Sequence, residues 1–249
     1  MAYTILVVGK GGVGKTTVSA LLVRLLSENY QGSILAVDAD PNSNLAEFLG
    51  LEIKETIGTV LSQINEEKDK IPAGISKDRF IEYKVQTIID EQDKFDILTM
   101  GRPEGPGCYC YVNNVLRNVL EKLMKKYDFV IIDNEAGMEH LSRKTMAVCD
   151  VFLVVAESTP AGLRAAQRIA EIAKELKIKA QHKFILLNRV KEEEVSKKLK
   201  GIDLQLLGIL PEDEQIAKFS QEGQSLFRLD KNSKVFIELK KIIKKIIGG

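Results

Sequence analysis

Gly9–Thr17 reads GKGGVGKTT, follows the apolar run Tyr3–Val8 and opens a helical pattern over Val18–Leu26. Gly9, Gly14, Lys15 and Thr16 fit the phosphate-loop pattern of glycine, four spacers, glycine, lysine and a hydroxyl residue. Glycine lets the backbone fold tightly around an anion with no Cβ in the way. The amides of Gly11, Gly12, Val13, Gly14, Lys15, Thr16 and Thr17 are then expected to surround the β-phosphate, aided by the positive end of the following helix. Lys15 should reach the β- and γ-phosphates, and the hydroxyl of Thr16 should ligate Mg²⁺. A strand before and a helix after is the context this motif requires, so the stretch implies a nucleoside triphosphate.

Working outward, apolar runs alternate with helical patterns. The runs are Ile5–Val8, Ile34–Val37, Phe95–Met100, Phe129–Ile132, Val151–Ala156, Phe184–Leu187 and Leu206–Leu210; helical spacing covers Val18–Asn29, Val112–Lys126 and Gly162–Leu176. Most runs are continuously apolar, as expected of strands covered on both faces. The expected fold is therefore α/β, a doubly wound, mainly parallel sheet flanked by helices, with residues 1–249 as one domain. Leu51–Asp93 is charged and irregular and reads as helices and turns inserted after the second strand.

Composition narrows the class further. Lys plus Arg number 36 against 35 Asp plus Glu, a net charge of +1, which argues against a strongly basic nucleic-acid-binding face. No apolar run approaches the roughly 18 residues of a membrane span, and the N-terminus has no signal-peptide pattern. Three cysteines do not make a disulfide framework, so a cytoplasmic setting is expected.

Lys10 is a second lysine near the start of the loop, and KGGVGKT resembles the deviant phosphate loop of one family of ATPases. That family includes MinD, ParA, the arsenite and tail-anchored-protein ATPases, the nitrogenase iron protein and the CooC nickel-insertion ATPases. The resemblance implies a homodimer with the nucleotides sandwiched between subunits, in which Lys10 touches the partner's nucleotide.

Two acidic strand ends complete the expected phosphate machinery. The segment AVDADPNSNL, Ala36–Leu45, resembles the family's switch I. Asp40 matches the carboxylate that positions the attacking water, and Asp38 falls nearer the magnesium shell. The competing reading is that these acids merely cap the helix after Pro41. FVIIDNEAG, Phe129–Gly137, ends an apolar strand in Asp133, the Walker B arrangement that holds Mg²⁺ through its water shell. The continuation NEAGMEHLSR resembles switch II, with Gly137 as its backbone sensor and His140 a minor candidate. Further on, Asn188 and Arg189 follow a strand as in the family's base-binding segment. Pro211, Glu212 and Asp213 resemble its final loop, walling the base and favouring ATP over GTP.

GRPEGPGCYCYVNN, Gly101–Asn114, sets Cys108 and Cys110 in a turn ahead of a helix, where a helix start favours thiolate. Cys149, beside an apolar strand, reads as a small packed hydrophobe. Two thiolates cannot complete a tetrahedral metal site, but a dimer axis would supply four. The pair, beside EAGMEHLSR, is similar to that of the CooC group, which implies Ni²⁺ or Zn²⁺ at the dimer interface. It also implies nickel insertion into a client such as carbon monoxide dehydrogenase or acetyl-CoA synthase. Redox and packing roles stay open, as do a MinD- or ParA-like positioning ATPase and an iron–sulfur carrier or reductase. The tail Val235–Gly249 carries Val235, Leu239, Ile242 and Ile246 on one face and Lys240, Lys241, Lys244 and Lys245 around the remainder. It reads as a docked final helix, with an anionic membrane as the alternative partner.

Overall fold

The structure is a computed structural model and describes residues 2–66, 71–72, 74–102, 117–135, 148–191 and 201–247. Its strands are β1 (Tyr3–Gly9), β2 (Ile34–Ala39), β3 (Asp90–Glu91), β4 (Asp96–Thr99), β5 (Phe129–Asn134), β6 (Val148–Ala156), β7 (Lys179–Val190) and β8 (Gln205–Pro211). They form one sheet in the order β3-β4-β2-β5-β1-β6-β7-β8. Every pairing is parallel except β3 with β4.

Side chains on a strand alternate between faces, so a strand buried on both sides must be apolar throughout. β1 does this: Ile5 and Val7 join one core while Leu6 and Val8 join the other. The first core lies beneath α1 (Lys15–Asn29), α2 (Leu45–Leu49) and α7 (Lys234–Ile247). The second lies beneath α3 (Ile57–Glu66), α4 (Lys77–Thr87), the helical residues 117–123 and α5 (Pro160–Glu175). The doubly wound sheet expected from the alternation is the fold observed. Leu51–Asp93 supplies α3, α4 and the two-residue antiparallel edge strand β3.

The tail is docked. Val235, Phe236, Leu239, Ile242, Ile243 and Ile246 of α7 are buried, whereas Lys240, Lys241, Lys244 and Lys245 face solvent. α7 lies so close to β8 that a Cβ on Gly208 would sit 2.5 Å from Ile242 Cδ1. Arg24, buried in α1, ties the same region together. Its guanidinium donates to the carbonyls of Leu226 and Leu229 at 2.8 Å, pairs with Glu28 at 3.0 Å and lies 4.4 Å from the Phe236 ring centre. Three N–H···O bonds and the Glu28 counter-charge compensate this buried cation. Among the described residues no helix is long and apolar enough to cross a membrane.

Candidate functional site

In open parallel sheets ligands gather beyond the carboxyl ends of the strands. Here the ends of β1, β2 and β5 come together. Asp38 on β2 pairs in register with Asp133 on β5, and Val7 of β1 pairs with Asp133 from the other side. The loop after β1 therefore lies over two adjacent acids.

The loop's glycines are required by contact and by conformation. A Cβ on Gly9 would lie 2.4 Å from the carbonyl oxygen of Val155. Gly14, at the N-cap of α1, has φ +92°, and a Cβ there would meet Asn188 Nδ2 at 2.4 Å. Only glycine takes that backbone without strain. Gly11 and Gly12 are exposed and Val13 is buried, so the loop presents its crest outward while Val13 anchors it.

Lys15 is buried, and its Nζ donates to the carbonyl of Lys10 at 3.3 Å. Burial lowers its pKa, and the nearby carboxylates of Asp133, Asp40 and Glu135 pull it back up. A desolvated cation with an incomplete partner set is poised for an anion. Lys10 itself is exposed on the crest.

Asp133 is 1% exposed; its Oδ1 accepts from Ser19 Oγ at 3.1 Å, while its Oδ2 is buried without a hydrogen-bond partner. Burial raises this carboxyl to about 6, against the opposing pull of the Thr16 hydroxyl, the Lys15 charge and the Ser19 hydroxyl. Asp38 is fully buried, and burial, then the charge of Asp133, push it to about 8. It accepts from the backbone N–H of Leu45 at 2.8 Å, the first residue of α2, and from that of Asp40 at 3.1 Å. Asp40 is half-exposed and accepts from Asn42 through both its backbone N–H and its Nδ2, each at 2.9 Å. Capping bonds are thus present at both acids, Asp38 holding the start of α2 and Asp40 closing its own turn. Two buried carboxyls resist ionising side by side, and an orphaned oxygen beside a threonine hydroxyl suits a hard divalent cation. The residues present fit Mg²⁺.

Asn188 and Arg189 lie within an irregularity of the β7–β8 pairing, between Leu187 and Val190, and Arg189 has φ +55°. Both side chains reach the phosphate loop. Asn188 Nδ2 donates to the Val13 carbonyl at 2.9 Å, and an Arg189 guanidinium N–H donates to the Gly12 carbonyl at 2.9 Å. Beside them opens a cavity of about 310 Å³, bounded by Thr17 and Val18 of α1, by Pro211 and Glu212, and by α6 (Glu214–Glu222). Asp213 caps α6 by accepting from the N–H groups of Gln215 and Ile216.

The structure thus gathers Gly11–Thr17, Asp38, Asp40 and Asp133 at one place and Asn188, Arg189, Pro211 and Glu212 at its flank. Cys108, Cys110, Gly137 and His140 lie outside the described residues. Cys149 is buried, and burial pushes its thiol up to about 12, in keeping with packing. Sequence reasoning missed Ser19, although it lies three residues after Thr16 and so on the same helical face. It also missed the grip of Asn188 and Arg189 on the loop, which no spacing announces.

The model for the CobQ/CobB/MinD/ParA nucleotide binding domain matches residues 4–227. An uncharacterised ATP-binding protein of Methanocaldococcus jannaschii is 44% identical over 98% of each chain. The carbon monoxide dehydrogenase accessory protein CooC of Rhodospirillum rubrum is 31% identical over 90% of this chain and 89% of its own. The septum site-determining protein MinD of Pyrococcus horikoshii, solved with Mg-ADP, superposes with a TM-score of 0.76 at 25% identity, over 99% of this chain and 96% of that one. With its phosphate loop in place and its length matched almost end to end, the chain belongs to the CobQ/CobB/MinD/ParA nucleotide-binding family of P-loop ATPases.

Proposed function

We propose that this chain is a Mg·ATP-driven switch that closes as a homodimer, and that the switch serves insertion of nickel into a client such as carbon monoxide dehydrogenase or acetyl-CoA synthase. The observation that carries the first half is the buried, unpartnered Oδ2 of Asp133 beneath Lys15 and Thr16. A bound cation is one way such an acid is satisfied, and the Lys15 and Thr16 beside it fit a phosphate–magnesium site.

Each residue then has a task. Amides of Gly11–Thr17 and the Lys15 ammonium bind the triphosphate, Lys15 exchanging the Lys10 carbonyl for phosphate oxygens. Mg²⁺, held by the Thr16 hydroxyl and by Asp133 through its water shell, would supply countercharge to the phosphates. Asp40 leaves its turn with Asn42 and orients a water for in-line attack, and Lys10, exposed on the crest, reaches the nucleotide of the partner. Asp38 fixes α2 behind Asp40 through the Leu45 N–H.

The finer half is supported by the spacing of Cys108 and Cys110 and by 31% identity to the CooC accessory protein. Soft thiolates select Ni²⁺ or Zn²⁺ over Mg²⁺, and two from each chain would hold one ion per dimer. The test is equilibrium dialysis with nickel and with zinc, coupled to sizing with and without Mg·ATP. Wild type should bind one ion per dimer, and the Cys108→Ser, Cys110→Ser double variant none, while retaining ATP binding. Full stoichiometry in the double variant removes the nickel role; a visible absorbance band after anaerobic iron reconstitution would point to an iron–sulfur carrier. A positioning ATPase is the second reading, favoured by the solvent-facing lysines of α7 and by the MinD fold. Its signature is ATP-dependent retention on anionic liposomes or DNA.

A further inference from the structure

The cavity beside the phosphate loop has apolar walls from Val18, Leu21, Leu210 and Val235 and a polar rim. Most of that rim is already engaged. The Asn188 amide is pinned by two bonds, donating to the Val13 carbonyl and accepting from the Arg189 N–H at 3.0 Å, so it cannot turn. Arg189 holds the Gly12 carbonyl, Glu212 pairs with Lys191 at 3.1 Å, and Asp213 caps α6.

The Thr17 hydroxyl and α6 are the exceptions. None of the residues of α6 is buried; Ile216 and Phe219 rest half-covered on the core, while Ala217, Ser220 and Gln221 line the cavity. Those three stand at i, i+3 and i+4, a single helical face. Gln215, the other amide of α6, accepts from the backbone N–H of Asp230 at 3.5 Å and does not line the cavity. Among the described residues the side chains of Ser220 and Gln221 make no hydrogen bond. A planar group with one donor edge and one acceptor edge therefore stands free on the wall of a slot beside a phosphate site.

We infer that Gln221 hydrogen-bonds the edge of a purine base seated in this cavity, with Ala217 and Ser220 forming the wall beside it. The inference rests on the nucleotide reading proposed above. A carboxamide can accept from the N6–H of adenine while donating to its N1. Rotated by half a turn, it can instead donate to O6 of guanine and accept from its N1–H. Gln221 thus adds affinity for purines, and its replacement by glutamate reads differently. A carboxylate accepts twice, matching the adjacent N1–H and N2–H donors of guanine and facing the N1 lone pair of adenine. The side chain is exposed, so neither substitution disturbs the core.

The test is calorimetric titration of wild type, Gln221→Ala and Gln221→Glu with ATP, GTP and inorganic tripolyphosphate, all with Mg²⁺. Gln221→Ala should weaken ATP and GTP by about 5- to 30-fold, the loss of one or two modest hydrogen bonds, and leave tripolyphosphate unchanged. Gln221→Glu should weaken ATP further while recovering GTP, shifting the preference toward guanine. ATP binding in both variants equal to wild type would return Gln221 to ordinary helix surface and overturn the inference. Equal weakening of tripolyphosphate would overturn it too, by showing an effect on the loop. Wild type that binds no nucleotide would sink the nucleotide reading itself, a separate failure.

Discussion

Replacing Asn188 by alanine separates two jobs that the residue has been given: contacting the base and holding the phosphate loop. Its Nδ2 donates at 2.9 Å to the Val13 carbonyl, and Val13 is 3% exposed, so water does not replace the lost donor freely. A buried acceptor left without its partner costs about 1–3 kcal/mol. The loop regains freedom that phosphate binding must remove again, so most of that cost should appear in ligand affinity. Converted, it is a weakening of about 5- to 150-fold. The assay is the same titration with ATP and tripolyphosphate, with thermal unfolding alongside. Both ligands should weaken by a common factor, and unfolding should shift down in parallel. Loss confined to ATP, with tripolyphosphate binding intact, would refute the loop-holding argument and return Asn188 to the base alone.

Three other outcomes are expected. Asp40→Asn keeps an oxygen to accept from the Asn42 N–H, so the turn and ATP binding should survive while turnover falls by about 100-fold or more; steady-state phosphate release checks this. Asp38, raised to about 8 by burial, favours folding while it is protonated, so in the absence of nucleotide and Mg²⁺ stability should decline as pH rises from about 5 through 8. Urea titrations should show a shallower decline in Asp38→Asn, by up to about 1.4 kcal/mol per pH unit, and an unchanged slope would refute the assignment. Leu239→Ala empties a fully buried position under α7 and should cost about 2–5 kcal/mol in chemical denaturation; a loss within error would mean that the helix is not docked in solution.

The sheet was legible because strands such as Ile5–Val8 and Phe129–Ile132 are covered on both faces and must be apolar at every position. The phosphate loop was legible because glycine, lysine and threonine at fixed spacing answer to backbone and charge requirements that few other residues meet. The docking of the tail was legible in its stripe of Val235, Leu239, Ile242 and Ile246, all buried; the close approach to β8 at Gly208 was not. β3 left no trace, since two residues give no period to detect. Asn188 was expected at the base, and its grip on the phosphate loop went unseen because the contact with Val13 spans 175 positions. Ser19 is small, polar and unremarkable in a helix until Asp133 arrives from another strand.

The placement of β1 carries a consequence for how the chain is made. β1 precedes the other strands of this sheet in chain order and lies inside it, yet both of its neighbours, β5 and β6, begin only at Phe129 and Val148. Until those residues leave the ribosome, an apolar strand waits with two open edges, the kind of segment that pairs with whatever strand it meets. Gly9 and Gly14 find the contacts that shape the loop later still, on Val155 and Asn188. A nascent chain therefore carries the nucleotide motif long before it has a loop able to bind ATP, which waits until β7 is out. Fusions, split versions or truncations that end before Val190 should accordingly expose sticky strands and bind no nucleotide, however intact their opening motif.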